Sequence, residues 1–144
     1  MSAPHIEHVN LTVTNPARTA EMLRSLFGWH IRWQGPARIS GYTIHIGSDD
    51  HYLALSSAAQ NSDIKRHFKK GEPLNHIGIE VDNLEDVEAR VIQAGLKPFN
   101  HDDYDPGRRF YFLDDDGIEY EIISYNTRHL GVWPLVHTGF NKNF

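Results

Sequence analysis

Ile6, His8, Asn10 and Thr12 alternate with Val9, Leu11 and Val13. A period of two predicts a strand with one apolar face and one more polar face. The same alternation returns in His76, Gly78 and Glu80 against Ile77, Ile79 and Val81. After each strand the spacing turns helical. Asn15-Pro16 offers an N-cap followed by proline at the first helical position, Ala20, Leu23 and Phe27 form an apolar stripe, and Gly28 suits the stop. Downstream, Asp82-Asn83 supplies the cap, Leu84, Val87, Val91 and Ala94 the stripe, and Gly95 the stop. Three strand-like runs complete each half: Trp29–Trp33, Tyr42–Ile46 and Tyr52–Ser56, then Lys97–Asn100, Arg109–Leu113 and Ile118–Ser124. Gly35-Pro36, Ser48-Asp49-Asp50, Asp105-Pro106-Gly107 and Asp114–Gly117 punctuate them as turns. The predicted architecture is α+β, two tandem βαβββ units.

The halves are copies. His8 and His76 stand 68 positions apart, as do Asn15 and Asn83, Tyr52 and Tyr120, and Ser56 and Ser124, while Gly28 falls one short on Gly95. We therefore expect a single domain over 1–144, with a first unit at 5–57, a linker at 58–73, a second unit at 74–124 and a tail at 125–144. Helices packed on the apolar strand faces leave both histidines pointing the other way.

Composition narrows the chemistry. The chain has 144 residues, no cysteine and a formal net charge of -5. Disulfides and thiolate metal sites are excluded, and neither nucleic acid nor an anionic membrane surface is an expected partner. No apolar run reaches membrane-spanning length and the opening Met-Ser-Ala-Pro lacks signal-peptide features, so the expected location is cytoplasmic. The basic cluster Lys65–Lys70 is expected to be a solvated turn.

The last strand carries the sharper signal. Glu119, Glu121 and Ile123 share one face, and two carboxylates on a central strand are costly to bury without donors or a cation. Two imidazoles with one carboxylate suit a divalent first-row metal with positions left open for water or substrate.

Paired βαβββ units, "NHIGIEV" at the opening of the second unit, "FYFLDDDG" and the carboxylate strand after it resemble the vicinal oxygen chelate superfamily, the glyoxalase, bleomycin-resistance and extradiol-dioxygenase group. The resemblance implies a curved mixed sheet around a cleft. It also implies His8, His76 and Glu121 as ligands of a divalent metal (Fe, Mn, Ni, Zn or Co), Glu121 being the residue four beyond Gly117. Glu121 and Glu119 are then candidate proton carriers, and Tyr111 is a candidate for holding an anionic substrate group. Four-ligand members take a further ligand from the first unit, and the 68-residue offset puts Leu53 there, with His51 at the strand entrance as a substitute, which weakens the glyoxalase assignment. A three-ligand site resembles the fosfomycin-resistance enzymes and the dioxygenases, although Asn10 stands where the former carry threonine. His101 or His129 could serve a dioxygenase as acid-base residue, and Arg128 could assist an anion site.

The expected function is a metal-dependent enzyme acting on a small substrate chelated through neighbouring oxygens, whether by isomerase or lyase, dioxygenase or thiol-transferase chemistry. The alternative is a metal-free, bleomycin-resistance-like protein sequestering an aromatic molecule among Trp29, Trp33, Tyr42, Tyr111 and Phe112. Since each unit is an open half-sheet, a homodimer is expected, with His8 of one subunit able to meet His76 and Glu121 of the other.

Overall fold

A computed structural model describes residues 3–37, 40–58 and 69–125. The chain divides into two compact units, Met1–His67 and Phe68–Phe144. In the first, β1 (His8–Thr12) leads into α1 (Pro16–Phe27), then β2 (His30–Pro36), β3 (Tyr42–Gly47) and β4 (Tyr52–Ser57). In the second, β5 (Ile77–Glu80) leads into α2 (Leu84–Gln93), then β6 (Phe99–Tyr104), β7 (Gly107–Leu113) and β8 (Glu119–Tyr125). Each unit forms a four-stranded mixed sheet, ordered β1-β4-β3-β2 and β5-β8-β7-β6. The opening strand runs parallel to the closing one and the other pairings are antiparallel. This is the expected α+β pair of βαβββ units.

The helix boundaries follow the expected chemistry. Asn15 Oδ1 accepts from the Arg18 N–H at 3.0 Å, Pro16 opens α1, and Gly28 ends it at φ 70, a left-handed conformation that suits glycine. Asn83 Oδ1 likewise accepts from the Asp86 N–H at 3.0 Å. Along α1 the buried stripe includes Thr19, Ala20, Leu23 and Leu26; Phe27 is only half-buried, because the stripe drifts round the helix. Val13, Leu23, Leu26, Ile44, Ile46 and Leu55 fill the first core. Val87, Val91, Phe110, Phe112, Tyr120 and Ile122 fill the second. Phe112 stacks on Tyr120 beneath α2, so it belongs to the core and not to an aromatic pocket.

The strand registers revise the internal correspondence. His8 pairs across from Tyr52 and Asn10 from Ala54, while Gly78 pairs from Glu121. Since His8 corresponds to His76, Asn10 corresponds to Gly78, and the counterpart of Glu121 is Ala54. Leu53 lies in the core as the counterpart of Tyr120, and Tyr52 corresponds to Glu119. The second copy is one residue shorter before Gly95, and a slip of one reverses the face of every later side chain. Ala54 offers no donor atom either, so the absence of a ligand from that strand of the first unit stands on a corrected residue.

Candidate functional site

With α2 covering the apolar face, the opposite face of the second sheet collects the polar side chains. Glu119 and Glu121 project from β8, Arg109 and Tyr111 from β7, and Phe99 and Tyr104 from β6, with His76 just ahead of β5. Glu121 lies in register with Tyr111 on one side and Gly78 on the other. Glycine at 78 leaves open the space in which a Cβ would have no neighbour within 4 Å. His76 reaches Glu121 there: Nε2 is 3.0 Å from Oε2.

Both ends of this pair are engaged. His76 Nδ1 lies 2.7 Å from Asn75 Oδ1, and Glu121 Oε1 accepts from the Arg109 guanidinium at 2.9 Å. Arg109 is buried, only 3% exposed, and its guanidinium carbon sits 4.5 Å from the centre of the Tyr104 ring. A neutral imidazole donates one hydrogen bond, yet both nitrogens of His76 face oxygen acceptors. A neutral ring with its proton on Nε2 serves Glu121, and the Asn75 amide turned to present its N–H serves Nδ1; a cation between Nε2 and Oε2 would take the place of that proton. Two donors about 2.1 Å from a common ion, at right angles to each other, lie about 3.0 Å apart. His76 Nε2 and Glu121 Oε2 fit that requirement, while Arg109 and Tyr111 also hydrogen-bond the carboxylate.

Glu119 is buried, and Lys70 holds both its oxygens, at 2.9 and 2.8 Å. The cost of two buried carboxylates, expected to call for donors or a cation, is thus met by Lys70 and Arg109. Tyr111 lies edge-on to His76 with ring centres 6.0 Å apart. Burial, and then the neighbouring Glu121 carboxylate, push its phenol up to about 12, so it is a hydroxyl donor at neutral pH. Lys70, Asn75, His76, His101, Tyr111 and Glu119 are among the residues around an open cleft of about 650 Å³. His101, at the cleft edge, is paired with Glu88 of α2.

His8 belongs to the first unit. Its Nδ1 lies 2.8 Å from Glu7 Oε1, the relation that Asn75 has to His76. In both units the side chain of the preceding residue lies within hydrogen-bond distance of Nδ1 and orients the ring, the relation that outer partners have to ligating histidines. Within the second unit, among the described residues, His76 and Glu121 are a pair and not a group of three.

The geometry thus gathers His76, Glu121, Glu119 and Tyr111 on one sheet face and sets His8 at the equivalent place in the other unit. Arg128, His129 and the 126–144 portion of the tail lie outside the described residues, as do Lys65–Phe68 of the basic cluster. Three contributors, Lys70, Asn75 and Tyr104, are not assigned to the site by the sequence. Lys70 falls in a basic cluster that reads as solvated; the two unbalanced carboxylates of β8 are the signal that cationic partners must be near.

Comparison with known proteins fits this architecture. The chain resembles a glyoxylase/bleomycin resistance protein/dioxygenase domain from Frankia sp. EAN1pec, at 20% identity and TM-score 0.71 over 86% of this chain and 93% of that one. It resembles the fosfomycin resistance protein FosX from Listeria monocytogenes, complexed with Mn(II) and sulfate, at 13% identity and TM-score 0.67 over 91% and 100%. FosX from Mesorhizobium loti is similar at 19% identity and TM-score 0.65, again over 91% and 100%. At these identities the likeness is one of fold. No curated protein sequence matches. Among the described residues no helix is long and apolar enough to cross a membrane. The family model for the Glyoxalase/Bleomycin resistance protein/Dioxygenase superfamily matches residues 5–122, most of the sequence, and the chain belongs to that superfamily.

Proposed function

We propose that the protein is a divalent-metal enzyme whose ligands are His8, His76 and Glu121 and whose substrate is a small molecule with two neighbouring oxygens. The observation that carries this reading is the 3.0 Å approach of His76 Nε2 to Glu121 Oε2, with the outer atom of each side chain already bound by Asn75 and Arg109. The Listeria FosX structure, similar to this chain in fold, is a complex with Mn(II), which supports this reading. Bound at these residues, the ion would supply a Lewis acid for substrate oxygens. The chain's own groups do the rest. Arg109 keeps Glu121 in place, Tyr111 donates a hydrogen bond to a substrate oxygen or anionic group, and Glu119 accepts a proton when Lys70 turns toward the substrate. Proton movement of this kind belongs to lyase or isomerase chemistry.

The ligand set spans both units, and we propose a homodimer in which His8 of one subunit completes the site of the other. Mixing His8→Ala chains with Glu121→Ala chains leaves one intact site per mixed dimer if sites are shared. Absence of any regained metal binding would show that each site is built within one chain.

One observation favours a metal-free reading: Lys70 and Arg109 already neutralise both carboxylates. In that case the cleft sequesters an aromatic molecule without turnover. Metal content separates the two. The enzyme reading expects one ion per chain in the purified protein and its loss in His76→Ala; a protein that takes up no divalent metal in either form supports the binding module.

A further inference from the structure

The edge strand β6 departs from regular pairing beside the site. Phe99 pairs across from Tyr111 and Asp102 from Arg109, so Asn100 and His101 together stand against Phe110 alone. Asn100 accommodates the extra residue at φ 52, a left-handed conformation uncommon outside glycine. His101 packs toward α2, where its ring stacks on Phe110 with centres 5.9 Å apart and its Nε2 meets Glu88.

The extra residue decides which side chains reach the cleft. In an unbroken ladder from Phe99, His101 and Asp103 would share the face of Tyr111 and Arg109, and Tyr104 would lie on the face of α2. With the bulge, Asp102 and Tyr104 take the cleft face instead. Tyr104 pairs across from Gly107, which has no side chain to meet it. Its ring spreads over the neighbouring Arg109, 4.5 Å from the guanidinium carbon. Tyr104 lines the cleft, while Arg109 behind it is 3% exposed. A bulge held open by a residue in a sparsely populated conformation is a device for re-aiming a side chain, and here the side chain re-aimed is the cover of Arg109.

We propose that Tyr104 is a positioning residue of the site, acting through Arg109 to hold Glu121 in the orientation in which it faces His76. The inference rests on the reading of Glu121 as a metal ligand. A guanidinium open to water divides its N–H groups between solvent and carboxylate. Beneath an aromatic face it is attracted by the ring and shielded from competing water, so its hydrogen bond to Glu121 Oε1 is strengthened. Oε1 held at 2.9 Å by Arg109 leaves Oε2 aimed at His76 Nε2, 3.0 Å away. Tyr104 acts at one remove from the ion, and its ring, not its hydroxyl, carries the effect.

The test is Mn(II) titration of the full chain, with free Mn(II) read from its electron paramagnetic resonance signal and folding from urea denaturation. Tyr104→Leu should keep a cooperative urea transition and bind Mn(II) about tenfold more weakly, the scale of loss for outer partners of metal ligands. Tyr104→Phe keeps the ring and should bind as the parent does. On the Arg109→Leu background, Tyr104→Leu should cost nothing further, since the guanidinium through which the ring acts is gone. Should Tyr104→Leu fail to fold, Tyr104→Gln, which suits a half-buried rim, carries the same expectation. Parent-like affinity without the ring, a loss in Tyr104→Phe equal to that in Tyr104→Leu, or a further comparable loss on the Arg109→Leu background would each overturn the role of Tyr104 while leaving Glu121 as a ligand. A parent chain that takes up no Mn(II) removes the ligand reading, and this inference with it.

Discussion

Replacing Arg109 by leucine should be among the most damaging single changes in the second unit. The guanidinium is 3% exposed and donates to Glu121 Oε1 at 2.9 Å, while Glu121 itself is 14% exposed. Removing one partner of a buried pair leaves the other charge uncompensated, at a cost of roughly 3–5 kcal/mol. His76 still faces Oε2, which holds the expected loss near the lower figure; the lost contact with the Tyr104 ring adds about 0.5–1 kcal/mol. In urea, with a slope of about 1–3 kcal/mol per M, the midpoint should fall by roughly 2 M. The double variant Arg109→Leu/Glu121→Leu decides the cause. It should be more stable than either single variant, because both charges leave together. Mn(II) at one hundred times its Kd should return about 2.7 kcal/mol to Arg109→Leu, and nothing to Arg109→Leu/His76→Ala. A single variant within 1 kcal/mol of the parent, or a double variant whose loss is the sum of the two, would refute the idea that Arg109 acts as the buried counter-charge of Glu121.

Three further outcomes are expected. Asn15→Ala and Asn83→Ala should each lower stability by about 1 kcal/mol in chemical denaturation, since each removes the cap of one helix; an effect in one alone would break the equivalence of the units. Gly47→Ala should prevent normal folding by circular dichroism, because its Cβ would lie 2.2 Å from the His51 carbonyl oxygen; a native spectrum and unchanged melting would contradict the close approach. Asp114, buried in the turn before β8, has its carboxyl pushed by burial up to about 6 from 3.8. The folded chain then holds this proton more tightly than the unfolded one. Its contribution to stability is complete below pH 4 and shrinks by about 3 kcal/mol as pH rises through 6, a decline that Asp114→Asn should abolish.

Local signals carried most of the fold. Asn15-Pro16, Asn83, Gly28 and Gly95 act within a single turn of chain, and the alternation in β1 and β5 needs no partner to be read. The counterpart of Glu121 shows the limit. Identifying Ala54 instead of Leu53 required carrying the one-residue difference between Gly28 and Gly95 through three more strands, and parity is unforgiving there. The pairings of the site were less legible still. Lys70 meets Glu119, and Arg109 meets both Glu121 and Tyr104, through cross-strand register and side-chain reach that no spacing rule contains. A row of rings in the first unit is hidden for the same reason: His8, Trp33, His45 and Tyr52 become neighbours only when four strands are laid side by side.

In the proposed site His8, His76 and Glu121 hold one divalent ion. Anomalous scattering at the manganese edge, from crystals grown with Mn(II), tests it most directly. One strong peak per chain is expected, bonded to His76 Nε2, Glu121 Oε2 and a His8 Nε2, with Arg109 still on Glu121 Oε1. A map with no peak there, and His76 hydrogen-bonded to Glu121 in the presence of the ion, would contradict it.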